Sequence, residues 1–582
     1  MMTLEQIYSQ GTSTYETWRL CNAEDFDSPA MEYFGNQLTY KQMDELIDVY
    51  ARAFLKMMPD KTKSVTCCLP ALPVAAYAFY ALNKIGVKLN VVSHTVLPSD
   101  PKRYLEENDT EILILFDGFF PAVSAAIEKT NLNTIIVVSA ADGIVTIPHY
   151  VPIPIRAKLE KTHSAQTIKA ALPRVNVLSL DDFISIGRKN TETVHSIYKK
   201  GETAVILYTG GSTGIPKGVE KTNEELIAMG ALYNQNGNLD QQRNERLLIL
   251  IPPNHPTAFV HSIIVPGFLG ILQVYQPFYD KNAFAADLYH SKSHHVIAAA
   301  SHYATLPTCN LPDGALSCVR WALCGGEPVS QELALSINNA LKRLGVQNPY
   351  MVIGYGMSEV GPLGMVTLGV PELLNKVGAP MRGVLARVVD DMGNEVGNNV
   401  RGHIQLKTPC HMKGYYKQPE LTKEFFTEDG YAQTGDIGIR DDNGYYDIMG
   451  RAGDLIIASD NSKVYLFDIE RVVYKDPAVL ESEVVGIEIG GKKVPVVHIV
   501  LQADSIGRDT EVIMRVHKLC QEHLTENQMP WGYKIQEAFG TNPISQKRDY
   551  QSLALERDGY YMVVETLQMV SFQRDFIRGQ AS

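Results

Sequence analysis

Tyr208-Thr-Gly-Gly-Ser-Thr-Gly-Ile-Pro-Lys217-Gly218 is the stretch on which the fold of this 582-residue chain turns. Gly210, Gly211 and Gly214 let the backbone bend and approach a ligand closely, while Ser212, Thr213 and Lys217 add hydroxyls and a positive charge. That is the composition of a phosphate cradle, although a cluster of this kind also suits a plain surface turn. It is not a Walker A loop, which ends in Gly-Lys-Ser/Thr; here Pro216 precedes the lysine and Gly218 follows it. The flanks favour phosphate. Ala204-Val-Ile-Leu-Tyr208 is a short apolar run that reads as a buried strand, and Thr222 with Glu225 makes a capping box before Leu226, Ile227 and Met229. Strand, glycine loop, short spacer and helix together indicate a phosphate site on an α/β domain.

Outward from the loop, composition narrows the class. At 582 residues the chain exceeds a single core, so more than one domain is expected. Acidic residues outnumber basic ones for a net charge of −12, which argues against a nucleic-acid partner. No apolar stretch reaches the roughly 18 residues of a membrane-spanning helix, and the N-terminus has no positive region before an apolar core, so a cytoplasmic location is expected. The eight cysteines are scattered, with only Cys67 and Cys68 adjacent, and read as buried free thiols rather than metal ligands. To about residue 450 strand and helix patterns alternate, as in layered α/β architecture; Val74–Ile85 reads as helix and Val87–Val92 as strand. Residues 119–200, with the proline-punctuated 147–154, read as variable surface connection. After Gly450 a smaller α+β segment follows, with the apolar run 494–501 and a helix over 511–524.

The loop resembles the phosphate loop of the acyl-adenylate-forming superfamily, whose members include acyl-CoA synthetases. Further motifs follow in that family's order. Gly354-Tyr-Gly-Met-Ser-Glu359 resembles its aromatic-Gly-x-Thr-Glu element, Tyr431-Ala-Gln-Thr-Gly-Asp436 its Thr-Gly-Asp element, and Gly450-Arg-Ala-Gly-Asp454 its hinge. Weaker echoes run from 35–40 to Gln546-Lys-Arg-Asp549, nearly the whole chain. The resemblance implies an adenylating domain over residues 1–450, and a small mobile α+β domain over 451–582 that carries a catalytic lysine.

It also implies roles. Thr209, Gly210, Gly211, Ser212, Thr213, Gly214 and Lys217 would hold the β- and γ-phosphates of ATP, Ser358 the α-phosphate, and Glu359 a Mg²⁺ ion. Tyr355, flanked by Gly354 and Gly356, would stack on adenine, with Gly325, Gly326 and Glu327 lining its other side. Asp436 would accept from the ribose hydroxyls, and Arg451 would contact ribose or α-phosphate. Lys547 would neutralise charge as a carboxylate displaces pyrophosphate. His255, in Pro252-Pro-Asn-His-Pro256, matches the position placed near the substrate carboxylate. The Asp that amino-acid-activating relatives use for an α-ammonium is not found, so a non-amino acid is expected, passed on to CoA or to a carrier-protein phosphopantetheine. Three departures bear on the later steps: Gly453 at the hinge, Asn461 at a family glycine position, and Gln546 before the catalytic lysine.

Overall fold

The computed structural model describes residues 9–143, 156, 159, 164–209, 216–235, 243–278, 280–327, 329–368, 370–374, 376–458, 460, 462–489, 492–540, 550–556, 559–563 and 569–571. The chain divides into two compact units. One comprises Met1–Arg387, Gln405–Thr434 and Asp441–Asp447; the other comprises Val388–Ile404, Gly435–Arg440 and Ile448–Ser582.

In the first unit the short apolar runs of the sequence become parallel strands with both faces covered, the usual fate of Val/Ile/Leu-rich segments. An eight-stranded sheet has the order Gly414–Tyr415, Gly218–Thr222, Thr203–Tyr208, Leu89–Val91, Ser64–Cys68, Thr110–Phe116, Thr134–Val138, Asn176–Ser179. A nine-stranded sheet runs Ala379–Pro380, Gly361–Val366, Met351–Met357, Trp321–Gly325, His295–Ala298, Arg246–Ile249, Leu272–Tyr275, Pro29–Tyr33, Asn36–Thr39. The amphipathic helix Tyr40–Met57 packs against helices Val74–Lys84 and Leu180–Lys189. Gly187 allows the last contact, because a Cβ there would lie 2.0 Å from the Val49 carbonyl oxygen. The layered α/β expectation holds.

Two local expectations change. Residues 119–200 are not merely surface connection: helices Phe120–Ile127, Ala165–Ala171 and Leu180–Lys189 alternate with strands Thr134–Val138 and Asn176–Ser179 in the eight-stranded sheet. Low likeness to a family does not mean loss of structure, since Ile135, Ile136 and Val138 are fully packed. The proline-rich part, 147–154, lies outside the described residues. The spacer after the phosphate loop is itself a strand, Gly218–Thr222, pairing antiparallel with Thr203–Tyr208 through Tyr208↔Gly218 and Ile206↔Glu220. The loop is therefore a hairpin connection, and the capping box then opens helix Asn223–Gln235, with the Thr222 N–H donating to Glu225 Oε2 at 2.7 Å.

The second unit has its own core. Strands Val479–Ile489, Lys492–Leu501, Gly532–Gln536, Tyr561–Val563 and Met569–Ser571 form a sheet in that order. Helices Leu466–Val473 and Asp509–His523 cover it with Ile469, Val473, Ile513, Val516 and Cys520. The helix and apolar run anticipated for this segment are both present, within a residue or two.

Candidate active site

Of the phosphate loop, Gly210, Gly211, Ser212, Thr213 and Gly214 lie outside the described residues, and its neck is held by hydrogen bonds. The Thr209 N–H donates to the Lys217 carbonyl at 2.9 Å, and the Lys217 N–H donates to Thr209 Oγ1 at 3.1 Å. Arg103, on a single π-helical turn, donates from Nη2 to the Pro216 carbonyl at 3.2 Å. The Lys217 ammonium stands 5.2 Å from the centre of the Tyr415 ring, an attraction of about 0.5–1 kcal/mol at a partly exposed site.

Tyr355 and Gly356 continue the strand Met351–Met357, and Ser358 and Glu359 sit in the turn that joins it to antiparallel Gly361–Val366. This is a hairpin turn. Glycine is required at 356, where a Cβ would meet the Pro362 backbone at 2.5 Å. Tyr355, Gly356 and Ser358 are half-buried, so they remain reachable from solvent.

Glu359 is only 6% exposed. Tyr415 Oη donates to its Oε1 at 2.7 Å, and the main chain is pinned from two sides. The Met412 N–H donates to the Glu359 carbonyl at 2.6 Å. Lys221, 2% exposed, donates from Nζ to the Cys410 carbonyl at 2.8 Å and, at a long 3.4 Å, to the Glu359 carbonyl. Burial holds the Lys221 ammonium below the usual lysine range against the opposing pull of Glu225, Cys410 and Glu359. Burial, together with the adjacent Glu359 carboxylate, pushes the Tyr415 phenol up, so it stays a donor. Among the described residues nothing donates to Glu359 Oε2. A hard cation that takes one carboxylate oxygen and completes its shell with phosphate oxygens and water fits this donor set.

Beside the Tyr355 strand lies a narrow cavity of about 20 Å³, lined by Ile297, Leu323, Val352, Leu363, Val366, Pro362, Cys324 and the glycines 325 and 354. Its polar members are Thr257 and His261. His261 occupies a second single π-helical turn, Val260–Ile264, and both ring nitrogens are engaged, Nδ1 with the Thr257 carbonyl at 2.7 Å and Nε2 with the Tyr233 hydroxyl. Burial lowers its pKa to about 4, so the imidazole is neutral and the cavity carries no charge. Gly326 adopts φ +86°, and the Glu327 carboxylate accepts from the Ser301 N–H at 3.0 Å and hydroxyl at 3.3 Å. His255 precedes the short helix Pro256–Phe259 and is half-buried, but the imidazole lining the cavity belongs to His261.

Within the second unit, Asp436 is 6% exposed on the strand Ala432–Arg440, after Gly435 at φ +74°. Arg451 Nε lies 3.1 Å from Asp436 Oδ1. Asp454 packs close to both, its carboxyl raised mainly by burial, with Arg451 opposing. Lys547, Gln546 and Asn461 lie outside the described residues.

The first unit thus brings Thr209, Lys217 and Glu359 into one neighbourhood through Tyr415, and Gly325 and Tyr355 onto adjacent strands. Lys221, Tyr415 and His261 were not anticipated. Strand alternation after Lys217 puts residues 217, 219 and 221 on one face, the one signal that could have pointed to Lys221.

A hairpin neck carrying Lys217 thus stands, through Tyr415, beside the buried Glu359 carboxylate, an arrangement that suits a nucleotide-binding enzyme. The chain belongs to the AMP-binding enzyme family, whose model matches residues 19–416. It is 26% identical to the long-chain-fatty-acid–CoA ligase of Salmonella typhimurium, over 88% of this chain and 87% of that one. Its fold is similar to a benzoate CoA ligase from Burkholderia xenovorans (TM-score 0.77, 17% identity, 93% and 99% covered). It is also similar to ATP-bound MatB from Rhodopseudomonas palustris (TM-score 0.74, 20% identity, 93% and 98% covered). No described helix is long and apolar enough to cross a membrane.

Proposed function

We propose that this protein is an ATP-dependent acid–CoA ligase acting on a carboxylic acid with an uncharged, apolar tail, and working in the cytoplasm. A carboxylate oxygen attacks the α-phosphorus of ATP, the bond to pyrophosphate breaks, and an acyl-adenylate forms. The thiolate of CoA then attacks the acyl carbon and AMP leaves. The observation that carries this reading is the Glu359 carboxylate, buried and oriented by Tyr415, whose ring also receives Lys217 from the neck of the phosphate loop.

In this reading Lys217, Thr209 and the loop glycines and hydroxyls, Gly210 to Gly214, steady the β- and γ-phosphates. Ser358 orients the α-phosphate, and Tyr355 with the Gly325–Glu327 loop takes the adenine. Glu359 holds Mg²⁺, which when bound offsets the repulsion between carboxylate and triphosphate. Asp436 and Arg451 take the ribose, His255 orients the acid carboxylate, and Lys547 supplies positive charge during displacement. The cavity of about 20 Å³ has room for a water-sized group only, and its apolar lining with a neutral, fully engaged His261 favours an apolar end over a second anionic group there.

Acid-dependent exchange of pyrophosphate into ATP, across alkanoic, aromatic and dicarboxylic acids, tests the first half. Exchange with monocarboxylates and none with dicarboxylates is expected, followed by thioester formation with CoA. Thioester formation only with a holo-carrier protein would move the acceptor. ATP binding without exchange for any acid would instead mark a nucleotide-binding regulatory protein.

A further inference from the structure

Lys221 is a buried cation for which the proposed chemistry has no direct use. Carrying an ammonium into a covered sheet is costly unless specific partners answer it. A methionine would fill the same strand position without that cost. The partners found are informative. Lys221 reaches the carbonyls of Cys410 and Glu359. Cys410 begins the segment that ends in Gly414–Tyr415, and this pair of residues adds an edge strand to Gly218–Thr222 with Tyr415 opposite Val219. Two residues to either side of Val219, on the same face, stand Lys217 and Lys221. One strand face thus presents Lys217 to the ring of Tyr415 and Lys221 to the main chain of Glu359, while the Tyr415 hydroxyl closes the circuit on the Glu359 carboxylate.

We propose that Lys221 is a positioning residue: its ammonium ties the strand leaving the phosphate loop to the Glu359 turn and to the Cys410–Tyr415 segment, fixing where the Glu359 carboxylate points. This rests on the reading of Glu359 as the carboxylate that faces the metal–nucleotide complex. Groups that orient a metal-binding carboxylate commonly change metal affinity or activity by about 10–100-fold when removed.

The test is ATP binding to the full-length protein by calorimetry, with Mg²⁺ titrated and with EDTA, in wild type, Lys221→Met, Lys221→Arg and Glu359→Gln. Lys221→Met is expected to raise the Mg²⁺ concentration for half-maximal enhancement about tenfold and to leave ATP affinity in EDTA unchanged. Lys221→Arg should recover most of the loss. Because Lys221 acts through Glu359, adding Lys221→Met to Glu359→Gln should change the Mg²⁺ response little further. A fall in melting temperature with the wild-type Mg²⁺ response, or full additivity with Glu359→Gln, would overturn the proposal. Should the methionine variant not fold, Lys221→Gln, which keeps a donor and lacks the charge, is held to the same criteria. Missing acid-dependent exchange in the wild type would sink the ligase reading alone, since the binding measurement uses neither acid nor CoA.

Discussion

Glu359 shows how far single residues carry the account. Its place in the Gly354–Glu359 motif marks it in the sequence, but only the structure supplies Tyr415 on Oε1 and, among the described residues, no donor on Oε2. Glu359→Gln keeps the shape and removes the charge, and is expected to lower acid-dependent exchange at least 100-fold, of the order seen when one charge-stabilising group is removed. A loss below tenfold would show that the carboxylate is not the metal-facing group. Leu363 bounds the cavity and stands where a Cβ on Gly354 would meet it at 2.4 Å. Leu363→Ala should move the exchange optimum toward longer or bulkier acids, measured as kcat/KM across a chain-length series; an unchanged optimum would place the acyl tail elsewhere. Strand alternation after Lys217 is the only hint of Lys221 in the sequence, because its partners lie more than a hundred positions away. His261 stands on an irregular helical turn that no local pattern encodes.

At the scale of elements, the strand before the phosphate loop and the capping box after it could be read directly, because apolar runs and Thr-x-x-Glu spacing act locally. The hairpin between them could not. Gly218–Thr222 becomes a strand by pairing with Thr203–Tyr208, a contact that outweighs the expectation of a mere spacer. Helix packing follows the same rule at Gly187, whose small size matters only because Val49 lies across from it. Gly187→Ala should destabilise the first unit by about 1–3 kcal/mol through overpacking, read as a lower urea midpoint. In the second unit His498 is fully buried, with Gln536 Nε2 3.0 Å from its Nδ1 and the Tyr560 hydroxyl 3.0 Å from its Nε2. Burial depresses its pKa from 6.5 to about 4, with the nearby Glu556 opposing. The unfolded chain then binds the extra proton first as pH falls. Stability from neutral His498 is complete above pH 6.5 and is lost progressively toward pH 4, by up to about 3 kcal/mol. Urea midpoints at pH 7.5, 5.5 and 4.5 should fall more steeply in the wild type than in His498→Gln; parallel curves would refute the assignment.

On the scale of the whole molecule, the match to the AMP-binding family over residues 19–416 accords with motifs strung in order along the chain. The α/β class was legible because buried parallel strands write themselves as Val/Ile/Leu runs. The compact division was less so, since Val388–Ile404 and Gly435–Arg440 join the second unit from within the first unit's span of sequence. Chain order alone does not record such returns. If the segment 451–582 carries the adenylation lysine, Lys547→Ala should suppress acyl-adenylate formation and spare thioester formation from supplied acyl-adenylate; equal loss of both would contradict that division of labour.

The proposed activation of an apolar carboxylic acid consumes the α–β phosphate bond of ATP. It is tested most directly by following radiolabelled pyrophosphate into ATP with purified protein, Mg²⁺ and a panel of monocarboxylic acids, with and without each acid. Label should enter ATP only when an apolar acid is present, and the signal should vanish in Glu359→Gln. Incorporation that does not depend on the acid, or none with any acid while ATP still binds, would contradict it.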